Sequence, residues 1–154
     1  MKAVALISGG LDSILAATIV KQQGIRVIGV HFQIPFALRD QAAVGEFNLH
    51  FFQQQGIEVK NISLGEEFLT VVRHPRHGYG ANINPCIDCK ILMFKKAKEL
   101  MLNEKAEFLI SGEVLGQRSM SQNARTLSLI ERKACCEGLI LRPLSAVILE
   151  ESIA

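Results

Sequence analysis

The segment Ser8-Gly9-Gly10-Leu11-Asp12-Ser13 constrains the fold of this chain more than any other. It follows the apolar run from Ala3 to Ile7 and precedes a helical pattern starting at Ile14. A buried strand that ends in Ser-Gly-Gly can turn sharply, because glycine tolerates backbone angles closed to other residues. The unobstructed N–H groups can then face an anion, at the spot toward which the following helix points its positive N-terminus. The segment therefore reads as a phosphate cradle in a strand-loop-helix unit. It has neither the GxxxxGK[ST] spacing of a Walker loop nor the GxGxxG of dinucleotide folds. An ordinary glycine-rich turn, with Asp12 and Ser13 serving only as helix caps, is the plainer alternative.

The remaining chain alternates strand and helix. Strands are expected at Ala3–Ile7, Val27–His31, Ile57–Ile62, Phe108–Ser111 and Leu139–Leu141. Helices are expected at Ile14–Gln23, Gln41–Gln55, Glu66–Arg73, Leu92–Leu102 and Ala124–Cys136, the first two closed by Gly24 and Gly56. Continuous apolar strands alternating with helices predict an α/β protein, a doubly wound five-stranded parallel sheet covered on both faces. With 154 residues and 49% hydrophobic content, the chain suffices for a single domain, residues 1–154, with its own core. No apolar run approaches the ~20 residues that cross a bilayer. The N-terminus also lacks a signal-peptide pattern, so a cytoplasmic location without membrane contact is expected. A net charge of +2 leaves any RNA binding to local patches. The four cysteines of a cytosolic chain suggest chemistry or metal ligation before disulfides.

All six positions of Ser8–Ser13 match SGGxDS, and the chain resembles the PP-loop ATP pyrophosphatases, in particular the tRNA 2-thiouridylase and tRNA 4-thiouridine synthetase group. The resemblance implies an adenine nucleotide alpha hydrolase-like sheet of order 3-2-1-4-5. It also implies that ATP adenylates a substrate carbonyl oxygen and releases pyrophosphate. Ligands of such sheets bind at the carboxyl ends of the strands, which here carry Ser8 to Ser13, His31 and Phe32, Ser63, and Ser111-Gly112-Glu113. Ser8, Gly9, Gly10, Leu11, Asp12 and Ser13 are thus expected to hold the pyrophosphate, and Asp12 with Glu113 to hold Mg2+. His31 and Phe32 are expected to frame the adenine. Gly112 and Gln117 would lie by the base or ribose, and Arg118 would offset phosphate charge. Related thiolating enzymes carry a Thr-Gly-His or similar motif where this chain has Ser111 to Gln122. That run is otherwise a polar loop ending in a helix cap.

A second constellation is Asn84-Pro85-Cys86-Ile87-Asp88-Cys89-Lys90, followed by a helix with Lys95, Lys96 and Lys98. In the 2-thiouridylase pattern a cysteine stands four residues after the proline of an Asn-Pro pair, and Cys89 matches it. Lys90 departs from the Asn expected next, and Cys86 adds a second thiol. One cysteine could carry a persulfide while the other attacks the bridging sulfur and leaves a disulfide. Lys90 and the first helical turn would lower a thiol pKa. Two further readings stay open. Cys86 and Cys89 could bind zinc with His74 and His77, or an iron–sulfur cluster with Cys135 or Cys136 as third ligand. Cys135 and Cys136 could also be plain core residues. His50, Phe47, Phe51 and Phe52 read as helix-face and core positions.

Arg73-His74-Pro75-Arg76-His77-Gly78-Tyr79-Gly80 is a basic loop that glycine makes mobile, fit to grip RNA phosphate and stack a base, or simply solvated. Nothing precedes the first strand, and the chain stops soon after Arg142-Pro143-Leu144-Ser145, unlike the longer tRNA thiolases. Substrate capture is accordingly expected to need self-association as a homo-oligomer, a partner, or a missing C-terminal portion. The expected function is ATP-dependent sulfur transfer to a tRNA uridine, with Cys86, Cys89, Asp12 and Arg118 catalytic and the sulfur supplied by a donor protein or sulfide. The alternatives are a PP-loop ligase or amidotransferase using ammonia, and a non-catalytic ATP-binding regulatory module.

Overall fold

The computed structural model of the chain describes residues 1–35, 50–80, 84–118 and 120–146. Five strands form one sheet: β1 (Lys2–Leu6), β2 (Arg26–Gln33), β3 (Glu58–Ser63), β4 (Phe108–Ile110) and β5 (Ile140–Leu141). Their order is β3-β2-β1-β4-β5 and every pairing is parallel. The doubly wound sheet and its order are those expected. β1 lies at the centre, with Ala3 to Ala5 opposite Val27 to Gly29 on one side and Phe108 to Ile110 on the other.

The helices are α1 (Leu11–Gln22), α2 (Gly65–Arg73), α3 (Cys86–Asn103) and α4 (Ala124–Ala134). Of the helix expected at Gln41–Gln55, residues 50–54 are helical, and 41–49 lie outside the described residues together with Phe47. Successive β1 residues point to opposite faces of the sheet, as strand geometry requires. Ala3, Ala5 and Ile7 pack with Phe108, Ile110, Phe52 and the α1 residues Ala16, Ala17 and Val20. Val4 packs on the other face with Leu109 and with Ile91, Phe94 and Ala97 of α3 and Ile130 of α4. The small α1 residues let that helix lie close over the central strands.

Several boundaries differ from the sequence expectation, α1 starting at Leu11 instead of Ile14 among them, and two of the differences fall at cysteines. α3 starts at Cys86 instead of Leu92, so both cysteines belong to its first turn. α4 stops at Ala134, because Cys135 adopts the left-handed conformation (φ 55°) that ends the helix. At the far end of α3, Glu104 accepts Lys2 Nζ at 2.7 Å and also pairs with Lys60, locking the helix to β1 and β3. Hydrogen bonds from Lys2 and Lys60 hold its carboxyl down at about 2. No helix among the described residues is long and apolar enough to cross a membrane.

Candidate active site

The phosphate loop starts where β1 runs out of partners. Ile7 N–H still donates to Val30 O at 2.8 Å, and its carbonyl lies 3.0 Å from His31 Nδ1. The chain then turns through Gly9, whose φ of +82° is in the left-handed region that favours glycine. Gly10 caps α1 in an extended conformation and offers no side-chain cap. Ser13 is buried and spans the loop from within, its hydroxyl donating to Gly10 O at 2.8 Å and accepting from Ser8 N–H at 3.3 Å. Ser13 thus shapes the cradle in addition to the phosphate role expected for it. The first N–H groups of a helix lack intrahelical acceptors and carry the positive end of its dipole. With no capping side chain over them, they suit a phosphate.

The exit of β4 presses against this loop. A Cβ placed on Gly112 would lie 2.6 Å from Ser13 N and 2.7 Å from the carbonyl carbon and oxygen of Asp12. Only glycine permits that approach. Further along, Gln117 Nε2 donates to Asp12 Oδ2 at 3.3 Å. The structure therefore brings together Ser8 to Ser13, His31, Gly112 and Gln117. Arg118 is exposed, and its guanidinium has no partner among the described residues. Phe32 packs against the core cluster formed by α3 and α4.

Glu113 requires a correction. Expected to help bind Mg2+, it is buried, and both carboxylate oxygens are taken: Oε1 by Lys90 Nζ at 2.6 Å and Oε2 by Arg142 Nε at 2.9 Å. Arg142 is itself buried and pairs onward with Glu131 of α4. Ser145 Oγ donates to Glu113 O at 3.2 Å and accepts from Leu115 N–H at 2.9 Å. A carboxylate already neutralised by two cations has little left to offer a metal ion. Glu113 instead ties α3, β4 and the segment after β5 into one unit. Removing one partner of a buried pair leaves an uncompensated charge, at a cost of about 3–5 kcal/mol. Glu113→Gln should therefore destabilise the protein by about that amount in urea unfolding. Lys90→Met should do less, because Arg142 still neutralises Glu113.

Cys86 and Cys89, three residues apart in the first turn of α3, lie on neighbouring positions of one helix side. Both are partly buried free thiols. Between them, Asp88 is buried and binds His77 twice: it accepts the backbone N–H on Oδ2 at 2.8 Å and ring Nδ1 on Oδ1 at 2.8 Å. Sequence reasoning does not single out Asp88; the one cue is an acid at the start of a helix beside two cysteines. Burial pushes the Cys89 thiol up to about 11, with Cys86 adding to the rise, and the charge of Lys90 does not outweigh them. The expectation that Lys90 and the helix would favour a thiolate there is corrected. Lys90 directs its ammonium to Glu113, and the thiol is partly buried.

The metal readings of the cysteines do not assemble either. No group of three or more His, Cys, Asp or Glu among the described residues is disposed to hold a metal ion. His77 binds Asp88 through Nδ1, and it does not assemble with His74, Cys86 and Cys89 into such a group. Cys136 is buried, with Sγ 3.8 Å from Phe94 O, well along α3 from the first turn, and Cys135 is exposed. Neither joins Cys86 and Cys89 as a third cluster ligand.

Comparison with known proteins agrees with this architecture. The family model for thiamine biosynthesis protein (ThiI) matches residues 1–153. A probable tRNA sulfurtransferase of Thermococcus kodakarensis is 27% identical over 161 residues, covering 99% of this chain and 39% of the relative. One of Methanosarcina mazei is 31% identical over 127 residues, covering 75% of this chain and 29% of the relative. The chain thus spans well under half the length of either. Among solved structures, a 4-thiouridine synthetase in complex with RNA and with bound ATP superposes with a TM-score of 0.76 at 25% identity, over 94% of this chain and 37% of the other. With a phosphate loop at the head of α1, a parallel sheet in the order found and a family match running nearly end to end, the chain belongs to the ThiI family.

Proposed function

We propose that this domain performs ATP-dependent sulfur transfer to a tRNA uridine. The observation that carries the reading is that Gly112, against the phosphate loop, and Glu113, bound to Lys90 beside Cys89, are consecutive residues. That adjacency supports a reading in which the nucleotide cradle and the two thiols act together. The family match, the named sulfurtransferase relatives and the ATP-bound synthetase support it further. It acts in the cytoplasm, where tRNA is modified.

In this scheme the N–H groups of Ser8 to Ser13 receive the β,γ-phosphates, and the uridine carbonyl oxygen attacks the α-phosphorus as pyrophosphate leaves. Magnesium, when bound, would offset triphosphate charge, and Asp12 would hold it. Arg118, exposed and without a side-chain partner among the described residues, would offset phosphate charge. A donor protein supplies sulfur as a persulfide on Cys89. The terminal sulfur bonds to the activated carbon and AMP departs, while the Cys86 thiolate attacks the bridging sulfur. A Cys86–Cys89 disulfide results, and an external dithiol must reduce it.

The test is product analysis with ATP and an unmodified tRNA transcript. AMP and pyrophosphate are expected, and Asp12→Ala should lower turnover by about 10²–10³-fold. Formation of ADP and phosphate would exclude the reaction class. ATP binding without turnover would point to a regulatory module, and nitrogen incorporation in place of sulfur to an amidotransferase.

A further inference from the structure

A cavity of about 430 Å³ opens beside α3, between α2, the loop after it and the end of α4. Its volume is in the range of ligand sites, about 300–1,000 Å³. Val71, Ile91 and Leu92 supply an apolar floor, while His74, Arg76, His77, Lys95 and Lys133 surround it; Asp88 is the acid that faces it. That acid is already bound to His77.

The cations at the rim stand out by what they do not do. Three of the four lysines of α3 are engaged: Lys90 with Glu113, Lys96 with Glu67, and Lys98 with the Cys135 carbonyl. Lys95, Arg76 and Lys133 have no ion-pair partner among the described residues, yet they come from three different elements to one cavity. The basic loop is also tied down at two points. His77 is held by Asp88, and Tyr79 Oη donates to Val72 O at 2.6 Å. Cations without ion-pair partners among the described residues, gathered around an apolar floor, match a polyanion that also presents flat apolar rings.

We propose that this cavity is an RNA-docking site that takes the phosphodiester backbone of the substrate strand next to the reacting nucleotide. The inference rests on the tRNA reading above. By helical periodicity, Asp88, Ile91, Leu92 and Lys95 share a side of α3 other than that of Cys86 and Cys89. The cavity therefore serves binding and not sulfur transfer, and its residues should govern RNA affinity without touching nucleotide affinity.

The test measures binding of a fluorescein-labelled unmodified tRNA transcript by anisotropy over a salt series, using the full chain. K95Q/K133Q should weaken binding at least tenfold. It should also reduce the slope of log K against log salt by about 0.7–0.9 for each phosphate no longer neutralised. ATP affinity should stay at the parent value. R26Q/K105Q removes two exposed charges near the amino ends of β2 and β4 and should leave both affinity and slope unchanged. The inference falls if K95Q/K133Q binds tRNA like the parent, or if R26Q/K105Q weakens it equally. If K95Q/K133Q binds like the parent while thiolation proceeds, the docking site is wrong and the function stands. A parent protein that binds no tRNA overturns both.

Discussion

Gly112→Ala should abolish high-affinity ATP binding, lowering it by about a hundredfold or more, although residue 112 carries no functional group. A methyl group there would stand 2.6 Å from Ser13 N and 2.7 Å from Asp12 C and O. Those atoms are backbone in the first turn of α1 and cannot swing aside. Relief requires the β4 exit and the phosphate loop to part, and losing two N–H bonds to phosphate, each about 1.5–3 kcal/mol, costs about a hundredfold or more. Overpacking should add a stability loss of about 1–3 kcal/mol, visible as a melting point several degrees lower. Gly80→Ala provides the contrast. Its Cβ would also meet an atom too closely, but that atom is the sulfur of Met120, the far end of a flexible side chain. It should retain ATP binding and most of its stability. Isothermal titration with ATP decides between them, and a Gly112→Ala protein with parental affinity would remove the β4 exit from the nucleotide site.

Cys89→Ser should eliminate sulfur transfer while ATP binding and protein stability remain near parental values, since a hydroxyl preserves size but cannot carry a persulfide. Cys86→Ser should permit a single turnover with added reductant and block repeated ones, because that thiol is needed to release the bridging sulfur. Radiolabelled sulfur incorporation into tRNA reads both effects, and undiminished incorporation by the double serine variant would exclude the pair. The Cys89 thiol, pushed up to about 11, also sets a pH dependence. Well below that pH its thiolate fraction rises about tenfold per unit, so alkylation of Cys89 by iodoacetamide should accelerate about a hundredfold between pH 7 and pH 9. A plateau near pH 8 would mean that the thiol is not held neutral by burial. The same shift has a stability consequence. The unfolded chain loses this proton near the ordinary value of 9.0, and the folded chain only near 11. The folded state is therefore progressively destabilised as pH rises through that window.

What can be read directly from the chain is local. Ser8 to Ser13 announces an anion site because strand, turn and helix N-terminus are contiguous, and each piece of the chemistry lies within six residues. Apolar runs separated by helical patterns likewise dictate a parallel sheet covered on both faces, since each strand must bury both its sides. The start of α3 is not legible before Leu92 because the turn from Cys86 to Lys90 shows no apolar periodicity. It is helical because Asp88 finds His77 and Lys90 finds Glu113, partners 11 and 23 residues away. Glu113 misleads for the same reason. A carboxylate just past a strand looks free for a metal until the fold delivers Lys90 from one side and Arg142, 29 residues further on, from the other. Similarly, Lys90 beside Cys89 in sequence suggests an acidic thiol, whereas packing turns the ammonium away and leaves the sulfur desolvated. The sequence by itself determined the phosphate loop, the sheet and the presence of two thiols near a helix start. Only the tertiary structure decided which charges are free, because pairing and desolvation depend on distances that folding creates between segments remote in the chain.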